Sequence, residues 1–432
     1  MICKNGGTIP LVFCLAAILL GGCGGGGGNG GGGTTGGDGS GGGGGGTPAI
    51  KSVLVRLQPG ESIEAVARDY GATVEASSPE DNLYRLRSGD DSLAARLAAD
   101  VRSAGAESDD GVRSPEAAQT VTGDPIHVPF DFVGKGSARF AAIALTFSGA
   151  GGPTSPAATG DPGIPFRQVN LDPAFAVTRG AGVIVAVLDT GVQADHPSLQ
   201  AHLLPGYNAI APGSLPDDVS DGTRNEAFGH GTMVAGIIAR MAPEAKILPV
   251  RVMNADGSGS LFNVVRGLHW AVANHARVIN LSLGTTESSG ILREAISDAR
   301  EAGAVIVSSA GNAGGDVRDF PAGFSETVSV AAVDDRDQKA PFSNFGSHIR
   351  LAAPGTAIVS TFPGGDFAAW SGTSFASPFV AGAAALVCAV NPGADPDKIA
   401  SDLADTTRRL GNSLKIGSGV LDTGAAVNAT VH

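Results

Sequence analysis

Trp370-Ser371-Gly372-Thr373-Ser374-Phe375-Ala376-Ser377-Pro378 leads straight into an apolar run, Phe379 to Val390. Small polar residues, then proline, then Ala, Leu and Val are how a helix begins. The first N–H groups of a helix have no partner within it, and the helix dipole favours negative charge there. Ser374 therefore stands where a hydroxyl nucleophile would find donors for the oxyanion it creates. A plain capping serine would read the same way, so the rest of the chain has to decide.

Upstream, Val183-Ile184-Val185-Ala186-Val187-Leu188 is a continuous β-branched run, the pattern of a buried parallel strand. It ends at Asp189-Thr190-Gly191, which puts Asp189 at the carboxyl end of a strand, where open α/β sheets hold their sites. Gly229-His230-Gly231-Thr232-Met233-Val234-Ala235-Gly236 then opens a second apolar helix. Strand-like and helical stretches alternate after that: Ile247 to Val252, Leu261 to Asn274, Val278 to Leu283, Ile291 to Ala302, Val305 to Ser309, Val328 to Val333 and Ile349 to Ala352. Leu171 to Thr178 reads as a short helix ahead of them. The alternation predicts an α/β fold with a doubly wound, mostly parallel sheet. The chain order Asp, His, Ser is one of three that serve the same hydrolytic triad on unrelated folds.

These segments resemble the signature blocks of the subtilisin-like serine peptidases: Asp189-Thr190-Gly191-Val192, His230 to Gly236, and Gly372-Thr373-Ser374-Phe375-Ala376-Ser377-Pro378. Ser309-Ala310-Gly311-Asn312 is similar to the family's oxyanion segment, and the resemblance runs from about Phe166 to Val431. It implies Ser374 as nucleophile, His230 as general base and then acid, Asp189 as orienter of the imidazole, and Asn312 as oxyanion donor beside the Ser374 N–H. Taken singly, Asp189 could simply end a strand, His230 start a helix and Asn312 make a turn.

The resemblance extends to substrate contacts. Ser282-Leu283-Gly284 is similar to the edge that pairs with an extended substrate backbone, with Ala310 and Gly311 beside it. Phe320-Pro321-Ala322 resembles the block near the base of the S1 pocket, where Asp319 would favour Lys or Arg at P1; a surface Asp paired with Arg318 or Arg336 is the alternative. The family's tight calcium site looks absent, because Ser198 replaces its acid and Met233 to Arg240 runs into Met241-Ala242-Pro243 without the required loop. No metal or cofactor is expected to be required. Asp217, Asp218 and Asp221 form an acidic loop that is either a weak Ca²⁺ site or simply solvated.

Ahead of this region, strands at Ser52 to Leu57, Ala72 to Ala76 and Leu83 to Leu86 alternate with helices at Ser62 to Tyr70 and Asp91 to Ala104, before an extended piece at Ala106 to Ser114. Leu93, Leu97 and Val101 are expected inward, with Gly105 ending the second helix. The order β-α-β-β-α-β is a ferredoxin-like α+β arrangement. By position it resembles the family's propeptide domain, which would act as an intramolecular inhibitor; an independent binding domain is the alternative.

Met1 to Cys23 reads as an export signal, with Lys4 ahead of the apolar Ile9 to Leu20. Leu20-Gly21-Gly22-Cys23 resembles a bacterial lipobox, which makes Cys23 the lipid-bearing first residue; an ordinary secreted protein with an incidental cysteine is the alternative. Gly24 to Gly46 is almost pure glycine, a flexible tether reaching roughly 25–30 Å. Cys3 and Cys14 leave with the signal, and Cys388 reads as a small buried hydrophobe, so no disulfide is expected. The domains expected are 1–22 signal, 23–48 anchor and tether, 49–115 propeptide domain, 116–167 linker with a maturation site, and 168–432 catalytic domain.

A net charge of −13 over 432 residues argues against nucleic acid as a partner. The whole predicts an exported serine endopeptidase, tethered to a membrane, monomeric, made as a zymogen and acting on proteins or peptides. A degenerate relative that only binds peptides and an esterase using the same triad are the readings from other classes.

Overall fold

The computed structural model describes residues 51–109, 111–113, 162–220, 225–410 and 415–430. The export signal, Cys23, the glycine tether, Asp221 and nearly all of the linker, with its apolar Phe140 to Phe147, lie outside these residues.

Seven parallel strands form the central sheet, in the order Leu351–Pro354, Val328–Val333, Val305–Ser309, Val278–Leu281, Ile184–Asp189, Lys246–Arg251 and Tyr207–Asn208. Helices cover both faces, so the middle strands are buried on each side and run continuously apolar. The doubly wound expectation holds. From the Ile184–Asp189 strand the chain builds one side of the sheet, Tyr207–Asn208 at the edge and then Lys246–Arg251 between, before crossing to Val278–Leu281 on the other. Such a reversal opens a crevice at the carboxyl ends of the strands. Asp189, the segment after Leu281 and the segment after Ser309 all lie at that end.

Two buried helices organise one face. The serine helix, Thr373–Val390, is buried from Thr373 through Cys388. It is apolar and long enough to cross a bilayer, yet 89% of it is enclosed by protein, so it is the central core helix. The histidine helix, His230–Met241, crosses it closely. Glycine makes the approach possible, since a β-carbon at Gly382 would lie 2.3 Å from Met241 Cβ; likewise one at Gly236 would lie 2.2 Å from Thr361 Oγ1 of the strand Ile358–Phe362, which packs on the histidine helix. Phe166 of the short helix Ile164–Gln168 packs on Phe379 at 4.9 Å between ring centroids. The larger body thus begins inside the stretch expected to be linker, because Phe166 fills its core.

The smaller sheet is antiparallel, ordered Thr73–Ser78, Leu83–Ser88, Lys51–Leu57 and Ser103–Ser108, with helices Ile63–Tyr70 and Leu93–Ala98. That is the predicted β-α-β-β-α-β order. Val53, Val55 and Leu57 face the two helices, while Leu54 and Leu83 on the other face join the core of the larger body. Burial on both faces explains why Val53-Leu54-Val55 shows no polar alternation. The second helix stops at Ala98 rather than Ala104, and Val101 is 92% exposed rather than inward. Asp100 accepts from the Arg102 N–H at 2.8 Å and turns the chain, and strand pairing to Lys51–Leu57 takes everything from Ser103. Gly105 is therefore a strand residue, not a helix stop.

Elements with no counterpart in the sequence expectations include the strand Tyr207–Asn208, the hairpin Ile358–Phe362 with Asp366–Trp370, and helices Pro396–Asp405 and Thr423–Thr430. The strand expected to reach Leu283 ends at Leu281.

Candidate active site

Asp189, His230 and Ser374 are fully buried and come together at the carboxyl end of the sheet. His230 Nδ1 lies 2.7 Å from Asp189 Oδ1. That oxygen also accepts the Thr190 N–H at 2.7 Å, which fixes the carboxylate plane. The imidazole packs between rings, 5.2 Å from Phe375 and 6.0 Å from Trp370, the neighbours of the nucleophile turn. An imidazole held this way at Nδ1 can present Nε2 to a hydroxyl and stabilise the charge it acquires.

Ser374 sits in the first turn of the serine helix. Its carbonyl accepts from Ser282 Oγ at 2.8 Å, and Ser282 Oγ in turn accepts from Asn280 Nδ2 at 2.9 Å. Ser282 and Leu283 are buried beneath the nucleophile turn, so of the expected edge only Gly284 is partly open. Ser374 Oγ is 3.3 Å from the Ser282 carbonyl.

Asn312 is oriented from an unexpected side. Its Oδ1 accepts both the N–H and the hydroxyl of Thr373, each at 3.0 Å, which fixes which end of the amide is carbonyl and which is donor. Gly311 beside it has φ +96°, and a β-carbon there would lie 1.9 Å from Asp319 Oδ2. Glycine is required at that point both for its backbone and for its lack of bulk. Asn344 closes the loop, donating to the Ala310 carbonyl at 3.0 Å and to Asp319 at 3.2 Å, and accepting from the Ala313 N–H at 2.9 Å. Thr373 and Asn344 were not singled out from the sequence, since Thr and Asn in loops carry no distinguishing signal.

Asp319 is half-buried and makes no ion pair with Arg318 or Arg336 among the described residues. Its Cβ is 3.6 Å from where a β-carbon of Gly284 would stand, so Asp319 lies against both Gly284 and Gly311. Burial pushes its carboxyl above the usual range. Cys388 is buried in the core helix with its thiol pushed up to about 11 by burial, as an unreactive hydrophobe should be.

A second edge went unrecognised in the sequence. Ser258–Ser260 pairs antiparallel with Gly111–Arg113 of the smaller body, with Val112 fully buried against the larger core. Glu107 accepts from the Ser289 hydroxyl and the Gly290 N–H, and Asp109 from the Phe262 N–H at 3.2 Å. The smaller body thus caps the start of two helices of the larger one. His269 Nδ1 and Asp81 Oδ1, 2.7 Å apart, add a further polar contact.

Asp218 is also buried, at 5% exposure, rather than part of a solvated acidic loop. Its carboxylate is consumed by protein donors.

The Subtilase family model matches residues 180–419. Subtilisin Savinase of Lederbergia lenta is 39% identical over 256 residues, covering 57% of this chain and 91% of that protein. Thermitase of Thermoactinomyces vulgaris is 36% identical over 254 residues, covering 56% of this chain and 88% of that protein. Alkaline elastase YaB of Bacillus sp. (strain YaB) is 38% identical over 256 residues; the match covers 57% of this chain but only 65% of the elastase. Among solved structures, a protease of Pseudoalteromonas arctica PAMC 21717 superposes with a TM-score of 0.57 at 34% identity, covering 61% of this chain and 94% of that one.

Proposed function

The chain belongs to the subtilase family and is a serine endopeptidase, and from that premise we propose an exported, membrane-tethered zymogen in which Ser374, His230 and Asp189 carry the reaction. The observation that carries this reading is the 2.7 Å contact of His230 Nδ1 with Asp189 Oδ1, made by a ring packed on the residue after Ser374. Ser374 Oγ attacks the peptide carbonyl carbon and passes its proton to His230 Nε2. The carbonyl π pair moves to oxygen, where the Ser374 N–H and Asn312 Nδ2 donate to it. Collapse breaks the C–N bond, and the amine leaves with the proton from His230. Water then repeats the sequence on the acyl-enzyme and restores Ser374. Asp189 holds the ring at Nδ1 and balances the imidazolium.

Substrate lies extended, pairing with Gly284 on one side and Ser258–Ser260 on the other. The smaller body's own Gly111–Arg113 on that second edge supports its role as an inhibitory propeptide. Protein or peptide substrates, the propeptide and the membrane are the partners proposed, with a monomeric enzyme that needs no metal.

Asp319 supplies the specificity. A carboxylate beside Gly284 and Gly311, raised by burial and bonded, among the described residues, by the neutral Asn344 alone, is stabilised by an incoming guanidinium or ammonium. Internally quenched peptides differing only at P1 should be cut inside the chain, with kcat/KM about 10–100-fold higher after Arg or Lys than after Phe. Asp319→Gly should reverse that order. Equal cleavage after Arg and Phe would sink the specificity; hydrolysis of esters without peptides, or no cleavage, would favour the esterase or the peptide-binding reading.

Cys23 is read as the lipid anchor, and the glycines after it hold the enzyme off the surface. The full chain expressed in a bacterium should partition into detergent, and Cys23→Ser into the aqueous phase. Aqueous partition of the unaltered chain would mean a secreted enzyme instead.

A further inference from the structure

The first turn of the histidine helix has no capping side chain of its own: its cap is Gly229, at φ +89°. Its donors are satisfied from elsewhere. The His230 N–H goes to the Ala227 carbonyl at 3.0 Å, and the Gly231 N–H to Thr190 Oγ1 at 3.0 Å. Asp218 takes the rest. Its Oδ1 accepts the Gly229 N–H at 3.1 Å; its Oδ2 accepts the Thr232 N–H at 3.2 Å and the Thr232 hydroxyl at 2.8 Å. The same loop grips the aspartate turn. The Val192 N–H donates to the Pro216 carbonyl at 3.0 Å, and a β-carbon at Gly191 would lie 2.5 Å from that oxygen and 2.6 Å from the Asp217 carbonyl. Arg251 Nη1 holds the Asp217 carbonyl at 2.8 Å, anchoring the loop to the sheet. Pro216 to Asp218 is thus one clip across the two segments that must keep Asp189 and His230 in contact.

We propose that Asp218 is a positioning residue for the peptidase reaction: as a carboxylate it locks the His230 turn against the Asp189 turn, and its neutralisation loosens the pair. This rests on His230 being the base. Three donors converge on two oxygens, and a negative charge at a helix N-terminus is favoured by the dipole. A protonated or amide side chain offers one acceptor oxygen and sets a donor against the other N–H. Of the charged and titratable groups on the elements around Asp218, Asp189 on the strand acts on it directly; His230 on the helix is held by Asp189, Asp217 is its neighbour on the loop, and Arg251 on the adjoining strand bonds the Asp217 carbonyl.

Burial pushes the Asp218 carboxyl up to about 6, with Asp189 adding repulsion. A raised carboxyl is charged only above that pH, so the locked form is lost as pH falls through about 6. Stability has the opposite sign: what protonated Asp218 contributes is present below pH 3.8 and is lost as pH rises through about 6. Activity and stability therefore part ways at this residue.

The test compares kcat, KM and their pH profiles for the wild-type mature enzyme, Asp218→Asn, Thr232→Val, Thr232→Ser and His230→Ala. Asp218→Asn should lower kcat about 10–100-fold with KM within about twofold. The acid limb of log kcat should fall with roughly two protons in the wild type and one in the variant, displaced to lower pH. Thr232→Val should lose kcat to a smaller extent, and Thr232→Ser should restore it. A folded Asp218→Asn with wild-type kcat and acid limb overturns the proposal, as does an effect confined to KM. Should Asp218→Asn not fold, Thr232→Val decides: kcat equal to that of Thr232→Ser overturns it. His230→Ala separates the premises, since an active His230→Ala means that the base has been misassigned, whereas an inactive one beside an unimpaired Asp218→Asn removes only the clip.

Discussion

Ser374→Ala will yield a folded protein that takes no fluorophosphonate label, retains its N-terminal region by intact mass, and loses kcat by a factor on the order of 10⁶, the size seen when subtilisin-type triads lose their nucleophile. The fold will hold because the hydroxyl is not part of the core. Helix burial runs through Phe375, Phe379 and onward, alanine is the best helix former, and the Ser374 carbonyl keeps its bond from Ser282. The 3.3 Å contact of Oγ with the Ser282 carbonyl disappears while the apolar packing stays, so stability should move by less than about 1 kcal/mol. A mutant that still labels would place the nucleophile elsewhere. A mutant whose N-terminal region is nevertheless removed would mean that maturation is performed by another enzyme.

Asp189→Asn will be the next most damaging change, with kcat down by about 10⁴ and KM nearly unchanged, because Asp189 touches the imidazole and not the substrate. The side chain is isosteric and, with its amide oxygen in the Oδ1 position, still accepts the Thr190 N–H, so the turn should survive. What it loses is charge. An amide oxygen toward His230 leaves the imidazolium uncompensated in a fully buried site; an amide nitrogen toward it forces the proton onto Nε2, where it blocks the transfer from Ser374. Initial rates against peptide concentration, beside the wild type, decide this. A loss carried mainly by KM would mean that Asp189 shapes the binding cleft rather than the base.

Parts of the molecule were legible because the physics involved is local. Val183 to Leu188 could only be a strand buried on both faces, and the apolar run after Ser374 could only be an enclosed or membrane-spanning helix. The small polar and glycine residues ahead of Ser374 and at His230 marked helix starts, and the order of the Asp, His and Ser blocks narrowed the architecture to one. Even the β-α-β-β-α-β order of the smaller body followed from turn residues and periodicity.

What the sequence could not show were the relations between distant segments. Whether Asp100 would turn the chain or extend a helix depended on Ser103–Ser108 finding a partner strand at Lys51–Leu57. Asp218 looked solvated because its three donors lie 11 and 14 residues further along the chain. Thr373 could not be seen to orient Asn312 from 61 residues away, nor Asn344 to brace Asp319. Nor could Gly111–Arg113 be paired with Ser258–Ser260, since a three-residue strand rich in Gly and Ser carries no pattern of its own. Periodicity and turn residues determined most of the elements and their order, and the resemblance of the Asp, His and Ser blocks to the subtilisin-like peptidases pointed to the reacting groups. Tertiary structure alone decided which hydrogen-bond acceptors meet which orphan donors, because that pairing is settled by distance in space and leaves no trace in spacing along the chain.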